Sequence, residues 1–230
     1  MSDVPTRRRA TLALGLLAPV PTLAVLATGV WWPGPVGSTL FVAAKLWVVA
    51  LPAWWYLGVE RGAWSWSPLR RGGLGLALAS GVVLATAIGA VYAWLGDQLL
   101  DPGELRRLVA ANGLGRPAVY LAGAAFWITL NSLAEEVVFR WFCYREARAW
   151  LPPWGAVLAA AAIFTAHHVL VLAVQFDGPI VWLGGVGVFA ASCVWSALYA
   201  RTGSIWPSYV SHAIVDVPLF VIGYFLLFSQ

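Results

Sequence analysis

The sequence predicts an all-α protein, a polytopic transmembrane helical bundle with about seven spans (six to eight) and an intramembrane polar cavity. Three observations predict this fold class. Hydrophobic residues make up 61% of the 230-residue chain and charged residues only 10%, whereas soluble domains carry roughly 25% charge. The apolar residues form blocks near the length of about 20 residues that a helix needs to cross a bilayer. Polar residues recur inside the later blocks, where a charge is costly unless it is paired or hydrated.

The predicted spans follow one another through short loops rich in Gly, Pro and Trp. We place them at 10–31, 37–58, 73–96, 117–142, 154–175, 179–200 and 204–228. The first run follows Arg7, Arg8 and Arg9 and therefore resembles a secretory or twin-arginine signal. Because the run is long for a signal peptide and six more spans follow, we interpret it as the first transmembrane helix.

The second span contains a lysine and a proline, Lys45 and Pro52. A lysine near a helix end usually extends its ammonium group to the membrane surface, so we expect Lys45 to snorkel, with a functional role as the alternative. Pro52 is expected to kink the helix, because it leaves one backbone carbonyl without its usual donor.

The longest polar segment, 97–117, joins the third and fourth spans. Asp101, Pro102 and Glu104 have the pattern of a helix start, with Asp as the N-cap, Pro at N1 and Glu at N3. Apolar residues at 105, 108 and 109 then form a stripe. We expect a short amphipathic helix on the outer surface.

The arginines predict the orientation of the bundle. With the N-terminus inside, nine arginines fall in cytoplasmic segments and three fall outside, which agrees with the positive-inside rule. The nine are Arg7, Arg8, Arg9, Arg61, Arg70, Arg71, Arg145, Arg148 and Arg201, and the three are Arg106, Arg107 and Arg116. We therefore attribute the net charge of +4 to an integral membrane protein with a cytoplasmic N-terminus and the lipid bilayer as its partner. Nucleic-acid binding is not expected.

Several catalytic classes lack their motifs. The sequence contains no HExxH of a membrane zinc protease, no GxSxG of a serine hydrolase and no GxGD of an aspartyl protease. A Walker loop and a GxGxxG turn are also absent, so no nucleotide is expected as a ligand. Cys143 and Cys193 have no metal-ligand spacing, and we expect both to be unpaired thiols.

The fourth span carries the first polar cluster, in the segment EEVVFR. On an α-helix, Glu136 and Arg140 share a face at i, i+4 and are expected to form a structural ion pair. Glu135 points roughly 100° away, on the side of Asn131 and Ser132. We interpret Glu135 as a freer carboxylate that faces a wet cavity and suits a general base. The alternative is that both acids only pair with Arg140 and tie helices together.

Two later spans carry histidines. In FTAHHV, Phe164 and His168 share a helix face at i, i+4 and His167 points elsewhere, so only one of the two histidines is expected to face a given site. In SYVSHAIVD, His212 and Asp216 share a face, and a carboxylate one turn away can fix the tautomer of the ring. The alternative for each cluster is a buried polar pair that holds helices together.

The depths of these residues agree with one site. Glu135, His168 and His212 lie roughly 10–20 Å from the cytoplasmic side of their spans. We therefore expect them to converge on one cavity that opens inward.

In this order and spacing, the three clusters resemble the motifs of the CPBP family, the type II CAAX prenyl proteases and bacteriocin-processing (Abi) intramembrane proteases. The motifs are EExxxR, FxxxH and HxxxD, and the resemblance covers about 120–220. We accordingly divide the chain into N-terminal helices with the outer connector, 1–116, and a catalytic helical core, 117–230. Two positions depart from the family pattern: Trp141 stands where many members have Gly, and Asp216 where many have Asn.

The resemblance implies a glutamate-dependent intramembrane protease that hydrolyses a peptide with an activated water. Glu135 would take the proton of the water, and His168 would position the water. His212 would stabilise the oxyanion, with Asp216 orienting the ring, while Glu136 and Arg140 brace the helix. Alternatively, Glu135, His168 and His212 would hold Zn²⁺; the sequence leaves a metal-free and a metal-bound site open.

The implied substrate is a membrane-delivered peptide or protein. Three kinds fit: a prenylated C-terminal peptide, a leader peptide and a C-terminal transmembrane sorting tail. The motif set and the 15 Trp residues favour a prokaryotic inner membrane, and we rank the prenylated peptide last on that ground. Two other functions remain as alternatives, a proton-coupled carrier and a non-catalytic immunity or scaffold protein on the same fold.

Overall fold

The computed structural model describes residues 5–63, 67 and 73–229, and the regular secondary structure of these ranges is entirely helical. Seven of the described helices are long and apolar enough to cross a membrane, which confirms the predicted fold class. With one short surface helix, they are α1 (Arg7–Trp31), α2 (Pro35–Val59), α3 (Gly73–Leu99), α4 (Pro102–Ala111), α5 (Pro117–Ala147), α6 (Pro153–Gln175), α7 (Pro179–Thr202) and α8 (Ile205–Phe228). The predicted positions of Arg70 and Arg71 lie outside the described residues.

One end of the bundle contains the start of α1, the residue that follows α2 and the connection between α5 and α6. The guanidinium of Arg7 donates to the carbonyl of Ala149 at 3.3 Å, and Arg145 forms an ion pair with Glu60. These contacts join segments that are far apart in sequence. They put on one side the segments that the arginine count predicts to be cytoplasmic, and we call this side the N-terminal end of the bundle.

The short helix α4 lies at the opposite end. Its start has the predicted cap, because the Asp101 side chain accepts hydrogen bonds from the backbone N–H groups of Gly103 and Glu104. Arg106 donates to the carbonyl of Leu226 near the end of α8, at 3.2 Å. We call this side the α4 end.

Helix α5 is not a regular α-helix around its acidic residues. Two stretches, Trp127–Asn131 and Glu136–Tyr144, are π-helical, and they flank one α-helical turn, Ser132–Glu135. A π-helix is wider than an α-helix and commonly occurs at functional sites. The spacing of an ideal α-helix therefore does not describe this part of the chain, and the directions of the side chains follow from the irregular backbone. In α2, Pro52 likewise precedes a π-helical turn, Trp55–Val59.

A tight turn joins the last two spans. Helix α7 ends at Gly203, whose φ of 63° lies in the left-handed region that glycine adopts without strain. The Ser204 side chain then accepts from the backbone N–H of Trp206 and begins α8. The hydroxyl of Ser211 on α8 lies 3.0 Å from the hydroxyl of Ser80 on α3. The turn and this contact fix the depth of the residues that follow in α8.

The apolar core fills the bundle on the N-terminal side of the polar residues. Its buried members come from six helices and include Leu17, Leu51, Trp55, Phe142 and Trp195. The histidine rings of α6 and α8 pack against aromatic members of this core.

Candidate active site

Glu135 faces a cavity among the described residues that has a volume of about 410 Å³. Its Oε1 accepts a hydrogen bond of 2.8 Å from the Asn131 side chain, one turn earlier in α5. Its Oε2 lies 3.8 Å from Nε2 of His212. The side chain is 12% exposed, so the carboxylate is desolvated but reachable from the cavity.

Glu136 and Arg140 form an ion pair that is withdrawn from the cavity. Oε2 of Glu136 lies 3.4 Å from Nε of Arg140, and both side chains are completely buried. Arg140 also donates to the Ser192 hydroxyl at 3.2 Å. Its guanidinium stacks over the rings of Phe164 and Trp195, at 4.6 and 5.1 Å, which stabilises the buried cation. This pair connects α5 to α6 and α7.

His212 of α8 is oriented by Glu136. Nδ1 lies 2.8 Å from Oε1 of Glu136, and the ring stacks on Trp195 at 3.9 Å with an angle of 16°. The nearest Asp216 oxygen is 3.8 Å from Nε2, which is too long for a hydrogen bond. Glu136 is therefore the hydrogen-bond partner of the ring, in the place that the sequence assigned to Asp216, because the packing of α5 against α8 brings the acid of another helix closer.

Asp216 has a different partner. Its Oδ2 accepts a hydrogen bond of 2.7 Å from the hydroxyl of Ser132 on α5, and its side chain is 17% exposed. Asp216 also lines the cavity. In the sequence Ser132 is only a polar neighbour of Glu135, and no pattern there indicates its link to α8.

Both adjacent histidines of α6 line the cavity. His168 is fixed through Nδ1, which lies 2.9 Å from the Phe164 carbonyl; since a carbonyl only accepts, this nitrogen carries the proton and Nε2 remains as an acceptor. His167 stacks on Phe139, at 5.6 Å and 15°. The two histidine rings are 4.1 Å apart. The expectation that His167 points elsewhere is wrong, because both rings line the same cavity.

A group of ligand atoms suited to a metal ion includes this second histidine. One atom each of Glu135, His167 and His168 lie within 4.8 Å of one another. Two imidazoles and one carboxylate are a donor set that Zn²⁺ accepts. The set differs from the one expected from the sequence, in which His212 took the place of His167.

The cavity extends from these residues towards the α4 end. Its wall there includes Phe41, Trp127 and Phe220, and Trp127 is 40% exposed. On the N-terminal side, Arg140 and Phe142 are completely buried. The opening of the cavity towards the N-terminal end stays a prediction.

Lys45 also lies in the cavity wall. It follows Pro35 by ten residues, so it is about 15 Å along the axis of α2. Its Nζ donates to Oδ1 of Asn131 at 3.4 Å. The expectation that Lys45 snorkels to the membrane surface is wrong, because its side chain crosses towards α5 in the middle of the bundle. A lysine so far inside an apolar run was the signal that could have identified this residue.

Residues 117–218 match the family model described as type II CAAX prenyl endopeptidase, Rce1-like. The match includes all the acidic, basic and histidine residues of the cavity except Lys45. It confirms the family resemblance of the three motifs. No curated protein and no solved structure gives a significant match to the chain.

Proposed function

We propose that this chain, which carries an Rce1-like domain of the type II CAAX prenyl endopeptidases at residues 117–218, is an intramembrane endopeptidase that cleaves a membrane-delivered peptide. The observation that carries this proposal is the position of Glu135. Its carboxylate faces a cavity within the helices, and histidines from two other helices line the same cavity. Such a carboxylate can activate a water next to a peptide bond.

In the proposed reaction, Glu135 takes one proton from a water in the cavity. Nε2 of His168 is the acceptor nitrogen of its ring, so it can accept the second hydrogen of the same water and direct the oxygen lone pair at the substrate carbonyl. The oxygen attacks the carbonyl carbon and forms a tetrahedral intermediate. Glu135 then returns its proton to the leaving amine as the carbon–nitrogen bond breaks.

His212 is the proposed donor to the oxyanion. Nδ1 faces the Glu136 carboxylate at 2.8 Å, so this nitrogen donates, and Nε2 is the nitrogen left on the side of Glu135. In the protonated ring, Nε2 donates to the negative oxygen that develops during attack. Stacking on Trp195 holds the ring in this orientation before the substrate arrives.

A zinc ion is compatible with the same residues. Glu135, His167 and His168 would hold it, and a bound zinc would supply Lewis-acid activation of the water. In either case, the positions of His212 and Glu136 support the same role in stabilising the oxyanion.

The shape of the cavity supports a substrate that arrives through the membrane. The wall combines the charged residues with apolar and aromatic side chains, among them Phe41, Trp127 and Phe220. An apolar segment or a lipid chain attached to the peptide fits such a wall. The description of the matching family favours a prenylated C-terminal peptide over a leader peptide and a sorting tail, which reverses the ranking made from the sequence.

The direct test is cleavage by the purified protein in lipid vesicles. A synthetic peptide with a prenylated cysteine before three C-terminal residues serves as the substrate, and mass spectrometry identifies the fragments. We expect wild-type protein to cleave the peptide and Glu135→Gln to lose at least about a hundredfold in rate, because an amide cannot act as the base.

Glu104→Gln, on the surface helix α4, is the matched control and should cleave like the wild type. A carrier would move a substrate across the vesicle membrane without producing fragments. Undiminished cleavage by Glu135→Gln would contradict the assignment of the base.

A further inference from the structure

Lys45 lies in the cavity wall, and the proposed reaction assigns no role to its positive charge. Its Nζ lies 3.4 Å from the Asn131 amide oxygen and 5.8 Å from the centre of the Phe41 ring. We propose that Lys45 binds a carboxylate of the substrate close to the scissile bond, so that it selects substrates by this charge. The inference rests on the proposed function and deepens it.

The buried arginines of the bundle have acidic partners, whereas Lys45 is exposed. Arg140 is paired with Glu136, and Arg145 with Glu60 and Glu146. Among the described residues, no carboxylate lies within ion-pair distance of Lys45. An ammonium group has three donors, and one long hydrogen bond to a neutral amide leaves this group short of partners. An anion that enters the cavity would supply the negatively charged partner that the protein does not provide.

A lipid head group does not explain this position. Lys45 lies about 15 Å along α2 from Pro35 at the α4 end, which is further than its four-carbon stem reaches. Its hydrogen bond to Asn131 also directs the ammonium across the bundle, towards α5. The anion must therefore come to the cavity, and a peptide substrate is the molecule that the proposed function brings there.

The separation between Lys45 and Glu135 limits how far the substrate carboxylate can lie from the scissile bond. The Asn131 amide lies between the two groups, with its oxygen near Lys45 and its nitrogen 2.8 Å from Oε1 of Glu135. One amide therefore separates the ammonium from the base. An extended peptide advances about 3.3 Å per residue, so a carboxylate held by Lys45 belongs within about three residues of the scissile bond.

Two sources provide a carboxylate at this distance, a free C-terminus and an acidic side chain. Lys45 itself lies in α2, outside the residues that match the family model. The helices before residue 117 thus contribute to substrate selection as well as to the walls of the bundle.

The test compares three prenylated peptides that differ only in charge near the scissile bond. They end in a free carboxylate, in an amide, or in an amide with an aspartate among the last three residues. Binding is measured by fluorescence anisotropy on the Glu135→Gln protein, so that no cleavage interferes, and KM and kcat are measured on the protein with Glu135 intact. We expect the free acid to be preferred over the plain amide by roughly tenfold to a hundredfold in Kd and KM, with a smaller effect on kcat.

Lys45→Met should remove this preference and Lys45→Arg should retain most of it. Arg116→Met removes an exposed charge just before α5, at the α4 end of the bundle, and should leave the preference unchanged. Preference for the aspartate peptide over the free acid would identify a side chain as the source of the carboxylate. Equal binding of all three peptides, binding of none, or an unchanged preference in Lys45→Met would overturn the proposal. Because binding is measured on Glu135→Gln, a wrong assignment of the base leaves this result valid.

Discussion

Oε1 of Glu136 lies 2.8 Å from Nδ1 of His212, and Oε2 of the same carboxylate lies 3.4 Å from Nε of Arg140. All three side chains are buried. One acid therefore orients a histidine of α8 and compensates a cation of its own helix. The carboxylate connects the apolar core to the cavity, so a change at Glu136 should affect both stability and catalysis.

Glu136→Gln tests this double role. The substitution leaves the Arg140 charge without compensation, and breaking a buried pair in this way costs about 3–5 kcal/mol. We expect a lower melting temperature in detergent and weaker cleavage. The double variant Glu136→Gln with Arg140→Met should recover much of the stability but not the activity, because His212 remains without its carboxylate. A single variant as stable as the wild type would contradict the role of the ion pair.

Asp216→Asn should keep most of the cleavage activity. The amide oxygen can accept the hydrogen bond from Ser132 as the carboxylate does, and His212 keeps its bond to Glu136. We expect a loss of no more than about tenfold, the scale of one altered hydrogen bond. Asp216→Leu, which accepts no hydrogen bond, should lose more. Equal and complete loss in both variants would show that the negative charge of Asp216 is required in the reaction.

The two adjacent histidines distinguish a metal-free site from a zinc site. His168→Ala should be inactive in both cases, because Nε2 of His168 faces the proposed water or the metal. His167→Ala should retain cleavage in a metal-free site and lose it in a zinc site, since His167 belongs to the candidate ligand group.

Metal analysis of the purified protein, with cleavage measured after chelation, gives an independent answer. Full activity without bound metal would exclude zinc catalysis. Activity in His168→Ala together with inactivity in His167→Ala would contradict the assignment of His168.

Single cysteines test the orientation of the bundle. The native Cys143 and Cys193 are first replaced by Ala, and Arg61→Cys, Arg148→Cys and Arg116→Cys are then introduced one at a time. With a cytoplasmic N-terminus, a membrane-impermeant thiol reagent should label only Arg116→Cys from outside intact cells. The other two should react after the cells are opened. Labelling of Arg61→Cys and Arg148→Cys from outside would invert the topology.

The sequence by itself determined the number of spans and the approximate positions of their ends. Both follow from the length and apolar composition of each run. A single segment must be long and apolar enough to cross the bilayer, and it must pair its own backbone groups as a helix, whatever its neighbours are. The helix cap at Asp101 was predictable because a helix start depends only on residues that are close together in the sequence. The three motifs also predicted the family model that residues 117–218 match, and they contain Glu135, His168, His212 and Asp216 of the cavity wall.

Only the tertiary structure decided which of these residues contact one another. Glu136 orients His212 in place of Asp216, Lys45 reaches Asn131, and His167 faces the cavity with His168. Each contact depends on the packing of separate helices, or on rotamers and π-helical turns that no fixed periodicity describes. Residues that share a face of one helix can be counted in the sequence, but distances between helices depend on how all the spans pack together.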